Sequence, residues 1–158
     1  MEAVGTVEDL FDREYDRLVA ALGVAFDPES AADAVQEAFI EADKRWPSIG
    51  GYDDPAGWVR RVAIRRLQSG RRQLRRRAEI LATLTIPDRE DLTADLVDLE
   101  RAIRALAPQQ RITVCLVHLA GLSHDEVANA LGVAMGTVKS NLDDAHRRLR
   151  EALEATHG

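Results

Sequence analysis

LSHDEVANALGVAMGTVKSNLDDAHRRLR, residues 122–150, is the stretch whose reading decides the fold. Ser123 stands three residues before Glu126, the spacing of a capping box, which predicts a helix opening there. Val127, Ala128 and Leu131 then share one helical face. Gly132 closes that helix, because glycine enters the left-handed conformation without steric cost. A second helix is expected to restart near Gly136. Its apolar positions, Val138, Leu142, Ala145 and Leu149, are spaced four, three and four and form one buried stripe. Ala128 is small where two steeply crossing helices must approach closely. This is the pattern of a helix-turn-helix, in which the second helix lies in the major groove of DNA. An ordinary helical hairpin in a bundle is the plainer alternative.

The surrounding chain adds context. Its 158 residues suffice for one compact domain or two small ones. No apolar run approaches the roughly 20 residues of a membrane helix, and the acidic start MEAVGTVEDL lacks the pattern of a secretory signal. The one cysteine, Cys115, excludes an internal disulfide. A soluble, cytoplasmic protein is expected. The net charge of −6 conceals a strong asymmetry: residues 60–77 hold nine arginines and no acid, so the rest of the chain carries −15. One dense basic patch on an acidic body suits DNA on one side and a basic protein partner on another.

From the N-terminus, residues 7–22 predict a helix with Leu10, Phe11, Leu18, Val19 and Leu22 inward. A second helix opens at Pro28, a residue tolerated in a first turn, and runs to about Trp46. Its inner face is Ala31, Ala34, Val35, Ala38, Phe39 and Ala42, and its outer face is acidic. That acidic face is either simply solvated or a dock for a basic partner. PSIGGYDDPAG, residues 47–57, is dense in turn formers and reads as a loop. The next helix opens at Pro55 or Trp58 and buries Val59, Val62, Ala63 and Leu67. Arg61, Arg65, Gln68 and Arg72 recur on its outer side, a stripe able to follow a phosphate backbone. Trp46, Tyr52 and Trp58 lie beside this stripe, and rings next to arginines suit unpaired bases, which stack while guanidinium groups hold phosphates. A core role for both tryptophans is the competing reading.

Residues 78–95 change character and predict a flexible linker, with Ile80, Leu81, Leu84 and Ile86 able to pack on a neighbour. A helix is expected over 96–106, and another from Pro108 to Gly121, apolar nearly all round and therefore central to a second domain. Cys115 and His118 share a face, but a zinc site needs about four ligands and no second pair exists. No phosphate loop or catalytic triad is implied, so no enzyme, cofactor or metal is expected.

Taken together, these residues resemble the extracytoplasmic-function RNA polymerase sigma factors over about residues 7–153. The expected fold is all-α: two small, separately folded helical domains, 1–77 and 96–158, joined by the linker 78–95, the second a helix-turn-helix. Asp33, Val35, Gln36, Glu37 and Phe39 match the family's D-x-V-Q-E-x-F helix. The resemblance implies that Asp33, Gln36, Glu37 and Phe39 contact core RNA polymerase, chiefly the β′ coiled coil, with the β subunit as a further partner. It implies that Tyr52, Trp58, Arg61, Arg65 and Arg72 read and open the promoter's minus-ten element, capturing a flipped base without ATP; extruding a base costs a few kcal/mol, which stacking and phosphate contacts would offset. It implies minus-thirty-five contacts from Thr137, Lys139, Ser140, Asn141, Asp144 and Arg148, with Ser123 and His124 on the preceding helix. An anti-sigma partner is a further expectation. The chain departs from the family at Arg65 and Ser69, where Asn and Asp are frequent. It departs again at Asn141, Asp144 and His146, where basic residues are common, and at Ala134, where a capping Ser or Asp is usual. Weaker or altered minus-thirty-five binding follows. A stand-alone helix-turn-helix regulator is the alternative, and it predicts a dimer on a palindrome. A single-strand or RNA-binding module built on the arginine helix alone would leave the C-terminal motif unexplained.

Overall fold

The computed structural model describes residues 5–70 and 94–157. Among them are eight helices and no strand. Helix α1 spans Val7–Ala25 and opens with a capping box between Thr6 and Asp9. Helix α2 spans Pro28–Lys44; the Asp27 carboxylate accepts the Ser30 amide at 2.8 Å, and Pro28 fills the first turn, where its missing N–H costs nothing. Helix α4, Pro55–Ser69, repeats this arrangement with Asp54 as cap and Pro55 behind it. Between them, Trp46–Ile49 forms a single helical turn, α3, where the sequence predicted only loop. Pro47 explains both facts. It has no N–H to continue the α2 ladder, yet it is well placed in the first turn of a new one.

In the C-terminal half, α5 is Ala94–Arg104, α6 is Pro108–His118, α7 is His124–Leu131 and α8 is Met135–His157. Helix α5 thus begins inside the stretch expected as linker; residues 78–93 of that stretch lie outside the described residues. The expected centrality of α6 holds, with Ile112, Thr113, Val114, Cys115 and Leu116 all buried. The helix-turn-helix is formed as its sequence predicts. Ser123 and Glu126 complete the capping box, and Gly132 adopts φ 66° at the end of α7. Val138, Leu142 and Ala145 of α8 are buried.

Helices α1, α2 and α4 pack on one another, as do α6, α7 and α8. The two groups are not independent in space. Helix α1 lies against α5 and α6, α4 lies against α7, and one continuous apolar cluster runs from Leu18 and Leu22 of α1 to Ile112 and Leu116 of α6. Sequence patterning assigned each helix its buried face but not this additional seam, because alanines and leucines serving the seam continue the same stripes that serve each half.

Candidate nucleic-acid interface

Helix α4 carries the basic residues, and its first turn sets their direction. The Asp54 carboxylate accepts the Gly57 amide at 3.0 Å, which fixes the register of everything that follows. A side chain at Gly57 would collide with the capping Asp54 carboxylate. Leu67, Ile64 and Ala63 point inward. Arg65 and Gln68 are exposed, and Tyr52, in the preceding loop, is 50% exposed. Trp58 and Trp46 are half-buried and pack against the core, which meets the core reading of the tryptophans in part. Arg66, also exposed, pairs with Glu37 of α2. Arg72 lies outside the described residues.

Arg61 is placed otherwise than the outer stripe suggests. It is half-buried, and its Nη1 donates to Asn129 Oδ1 of α7 at 2.7 Å. Asn129 in turn directs its amide at Asp54 Oδ2, 3.5 Å away. Its neighbour Arg60, absent from the expectations, is more deeply engaged. Only 2% exposed, it donates from Nη2 to Glu14 of α1 at 2.9 Å and from Nη1 to Glu126 of α7 at 3.2 Å. Glu14 also receives Arg17 at 2.6 Å. The Arg60 Nε has no hydrogen-bond partner among the described residues. These residues were legible in retrospect. Arg60 interrupts the inward series Ala63, Ile64, Leu67, and Glu14 sits between Leu10 and Leu18 on the α1 stripe; ionic side chains on apolar faces must find one another.

Glu126 serves two elements at once. Its Oε1 accepts the Ser123 amide at 3.0 Å and its Oε2 holds Arg60. The backbone hydrogen bond from Ser123 and the Arg60 charge hold its carboxyl below the usual carboxylate range, against the opposing effect of burial.

On α2, Asp33, Gln36 and Glu37 are exposed on one face. Phe39 is buried and makes an edge contact with Phe11 at 5.1 Å between centroids; Phe11 stacks on Tyr15. Gln36 donates to the Tyr15 hydroxyl at 3.2 Å. Phe11 and Ile40, both exposed, edge an open groove between α1 and α2 of about 530 Å³, with Glu8, Asp12 and Asp43 among its other walls. An apolar groove with an acidic rim matches a partner that is basic at its edges and apolar at its centre.

On α8, Thr137, Lys139, Ser140 and Arg148 are exposed, while Asn141 and Asp144 are half-buried. Asp144 binds Arg147 at 3.1 Å rather than standing free. Ser123 is exposed and His124 half-buried at the start of α7. The Ala134 carbonyl accepts from Thr137 and Val138, so Ala134 occupies the cap position of α8 with a methyl group in place of an acceptor. His146 faces α6: its Nε2 lies 2.8 Å from Nε2 of His118. With ring centroids only 5.1 Å apart, the rings meet end to end. That is the arrangement of an N–H···N bond between the two rings. The departure at His146 therefore packs the domain together instead of reaching outward. Among the described residues no three His, Cys, Asp or Glu side chains come together to hold a metal ion, and no helix is long and apolar enough to cross a membrane. Burial pushes the Cys115 thiol up to about 12, with Arg111 opposing weakly, so this thiol is protonated and inert.

Comparison with known proteins agrees with this geometry. The sigma-70 region 2 family matches residues 10–77 and the sigma-70 region 4 family matches residues 96–154. The RNA polymerase sigma-E factor of Streptomyces avermitilis is 37% identical over 159 residues, covering 98% of this chain and 84% of the relative. The ECF RNA polymerase sigma factor SigL of Mycobacterium tuberculosis is 31% identical over 142 residues, covering 85% and 80%. The sigma factor RpoE from Bartonella quintana, solved in complex with the anti-sigma factor NepR, shares the fold with a TM-score of 0.70 at 24% identity, covering 93% of this chain and 95% of that one. A regulator acting alone through its helix-turn-helix would account for neither the region 2 match nor the basic helix within it. The capped C-terminal helix-turn-helix, the arginine-bearing α4 and both family matches lead to one conclusion: this chain belongs to the extracytoplasmic-function sigma factors, the subunits that direct core RNA polymerase to promoters and start transcription there.

Proposed function

We propose a division of this activity among the surfaces described. The exposed polar residues Asp33, Gln36 and Glu37, with the α1–α2 groove that Phe39 floors, dock on the β′ coiled coil of core polymerase. Tyr52, Trp58, Arg61, Arg65 and Arg72 engage the minus-ten element as a melted strand: the rings stack on unpaired bases and the guanidinium groups hold phosphates. Thr137, Lys139, Ser140, Asn141, Asp144 and Arg148, with Ser123 and His124, meet the minus-thirty-five duplex. The halves 1–77 and 96–158 act as two domains, with 78–95 between them. The chain works in the cytoplasm, performs no catalysis of its own, and is a target for an anti-sigma protein such as those bound to its structural relatives.

The observation that carries this reading is the presence, in one chain, of the exposed Tyr52 ring beside the exposed Arg65 of α4 and of a helix-turn-helix opened by a capping box. Reconstitution with core polymerase on a library of promoter fragments, followed by sequencing of transcript starts, tests it. The expected result is a recurrent two-part motif upstream of the starts. Replacement of Tyr52 and Trp58 by alanine abolishes open complexes while polymerase binding persists. Unaltered open-complex formation by that double variant would refute the assignment of α4.

A further inference from the structure

Helix α8 carries a polar face beside its apolar one. Thr137, Asn141, Asp144 and Arg148 recur at spacings of four, three and four, in step with the inward stripe of Val138, Leu142, Ala145 and Leu149. Thr137, Ser140, Asn141 and Asp144 stand at i, i+3, i+4 and i+7, the spacing at which a recognition helix brings side chains to base edges in the major groove. Three of these four side chains are neutral. Asp144 is the exception, and the phosphates of a duplex repel it. An acid is compatible with that groove when a cation stands beside it and a donor in front of it. The structure supplies the cation. Arg147 Nη2 donates to Asp144 Oδ1 at 3.1 Å, with the two side chains 60% and 38% exposed. The other oxygen, Oδ2, has no hydrogen-bond partner among the described residues. Arg147 thus holds one oxygen, offsets the charge and leaves the second oxygen able to accept.

We propose that Asp144 selects a cytosine in the minus-thirty-five element and that Arg147 is its positioning residue. The bases differ in what they offer a carboxylate. In the major groove guanine shows only acceptors, and thymine shows an acceptor and a methyl group. Adenine sets its N6 donor beside the N7 acceptor, which repels a second acceptor. Cytosine shows the N4 donor with no acceptor on its own edge, so it is the base that a carboxylate fits. A carboxamide in the same place carries a donor as well as an acceptor and fits adenine instead. The identity of residue 144 therefore sets the base preferred at one position, while Lys139 and Arg148, both exposed, are suited to phosphates whatever the sequence. This inference rests on the minus-thirty-five reading of α8, and its test separates the two.

The full-length chain is reconstituted with core polymerase on a promoter recovered from the transcript-start library, with the upstream element randomised and the minus-ten element kept. Bound templates are sequenced for the parent and for Asp144→Asn, Arg147→Met and Arg147→Lys, with helix content checked by circular dichroism. The parent should favour cytosine about tenfold over the other bases at one position, the size of a typical single-base discrimination. Asp144→Asn, equal in size, should lose that preference and favour adenine there, with the other positions unchanged. Arg147→Met should weaken the cytosine preference about threefold at that position alone, and Arg147→Lys should restore part of it, which a purely structural ion pair would not do. A cytosine preference that survives Asp144→Asn overturns the inference and leaves the minus-thirty-five reading standing. Arg147→Met that lowers binding equally on every template overturns the positioning role and makes Arg147 a phosphate contact. An upstream region in which no position shows a preference with any form overturns the minus-thirty-five reading itself.

Discussion

Removal of the Glu14 carboxylate should cost more than removal of the arginine it holds, an asymmetry that follows from their partners. The Glu14 and Arg60 side chains are 6% and 2% exposed and lie 2.9 Å apart. Glu14→Leu leaves a buried guanidinium with only Glu126 at 3.2 Å and an Nε already without a partner. Stranding a buried charge costs about 3–5 kcal/mol, and the surviving partner places this variant near 3. Arg60→Met leaves Glu14 still bonded to the half-exposed Arg17 and removes the unsatisfied Nε, which by itself costs about 1–3 kcal/mol. Its net loss should be about 1–2 kcal/mol. The double variant Glu14→Leu/Arg60→Met replaces the pair by apolar side chains and should lie within about 1 kcal/mol of the parent, a coupling of about 3 kcal/mol. Urea unfolding followed by circular dichroism, with linear extrapolation, measures all four corners of the cycle. A double variant no more stable than Glu14→Leu would refute the reasoning, as would Glu14→Leu costing less than Arg60→Met.

Ala134→Asp supplies the acceptor that the start of α8 lacks and should stabilise the protein by about 1 kcal/mol, read as a rise of about 2–4 °C in Tm. Gly132→Ala meets no atom within 4 Å, so its cost isolates the left-handed backbone, about 1–2 kcal/mol by urea titration. Because the Glu126 carboxyl titrates below its unfolded value, its contribution is present above the ordinary carboxylate range and is lost as pH falls through the folded value; stability of the parent should therefore drop more steeply on acidification than that of Glu126→Gln. Cys115 should resist alkylation in the native protein and react at once in denaturant, which a timed thiol assay records.

Much of this molecule could be read from spacing alone, for a physical reason. Caps and stripes are local: Thr6 with Asp9, Asp27 with Ser30, and Ser123 with Glu126 each act over three residues, and sequence contains everything they need. The helical turn at Trp46–Ile49 escaped because Pro47 both stops one helix and starts another, and composition registers only the stop. The acidic face of α2 was legible through periodicity. Arg61 was legible as an outward residue but not as a bonded one, since Asn129 is 68 positions away and nothing local announces it. Asp144 differs: its solvent-side position was foreseen, and its partner Arg147 lies only three residues on along the same helix, a pairing that local spacing does contain.

The two oxygens of Glu126 have a consequence for how this position can drift over time. A surface glutamate is normally free to vary, but here one oxygen begins a helix and the other reaches an arginine from a distant part of the chain. Glutamine preserves the first duty and weakens the second; aspartate is too short for both; alanine abandons both. The range of tolerated residues is therefore far narrower than exposure suggests, and substitutions at 126 and 60 should arise together across lineages rather than singly.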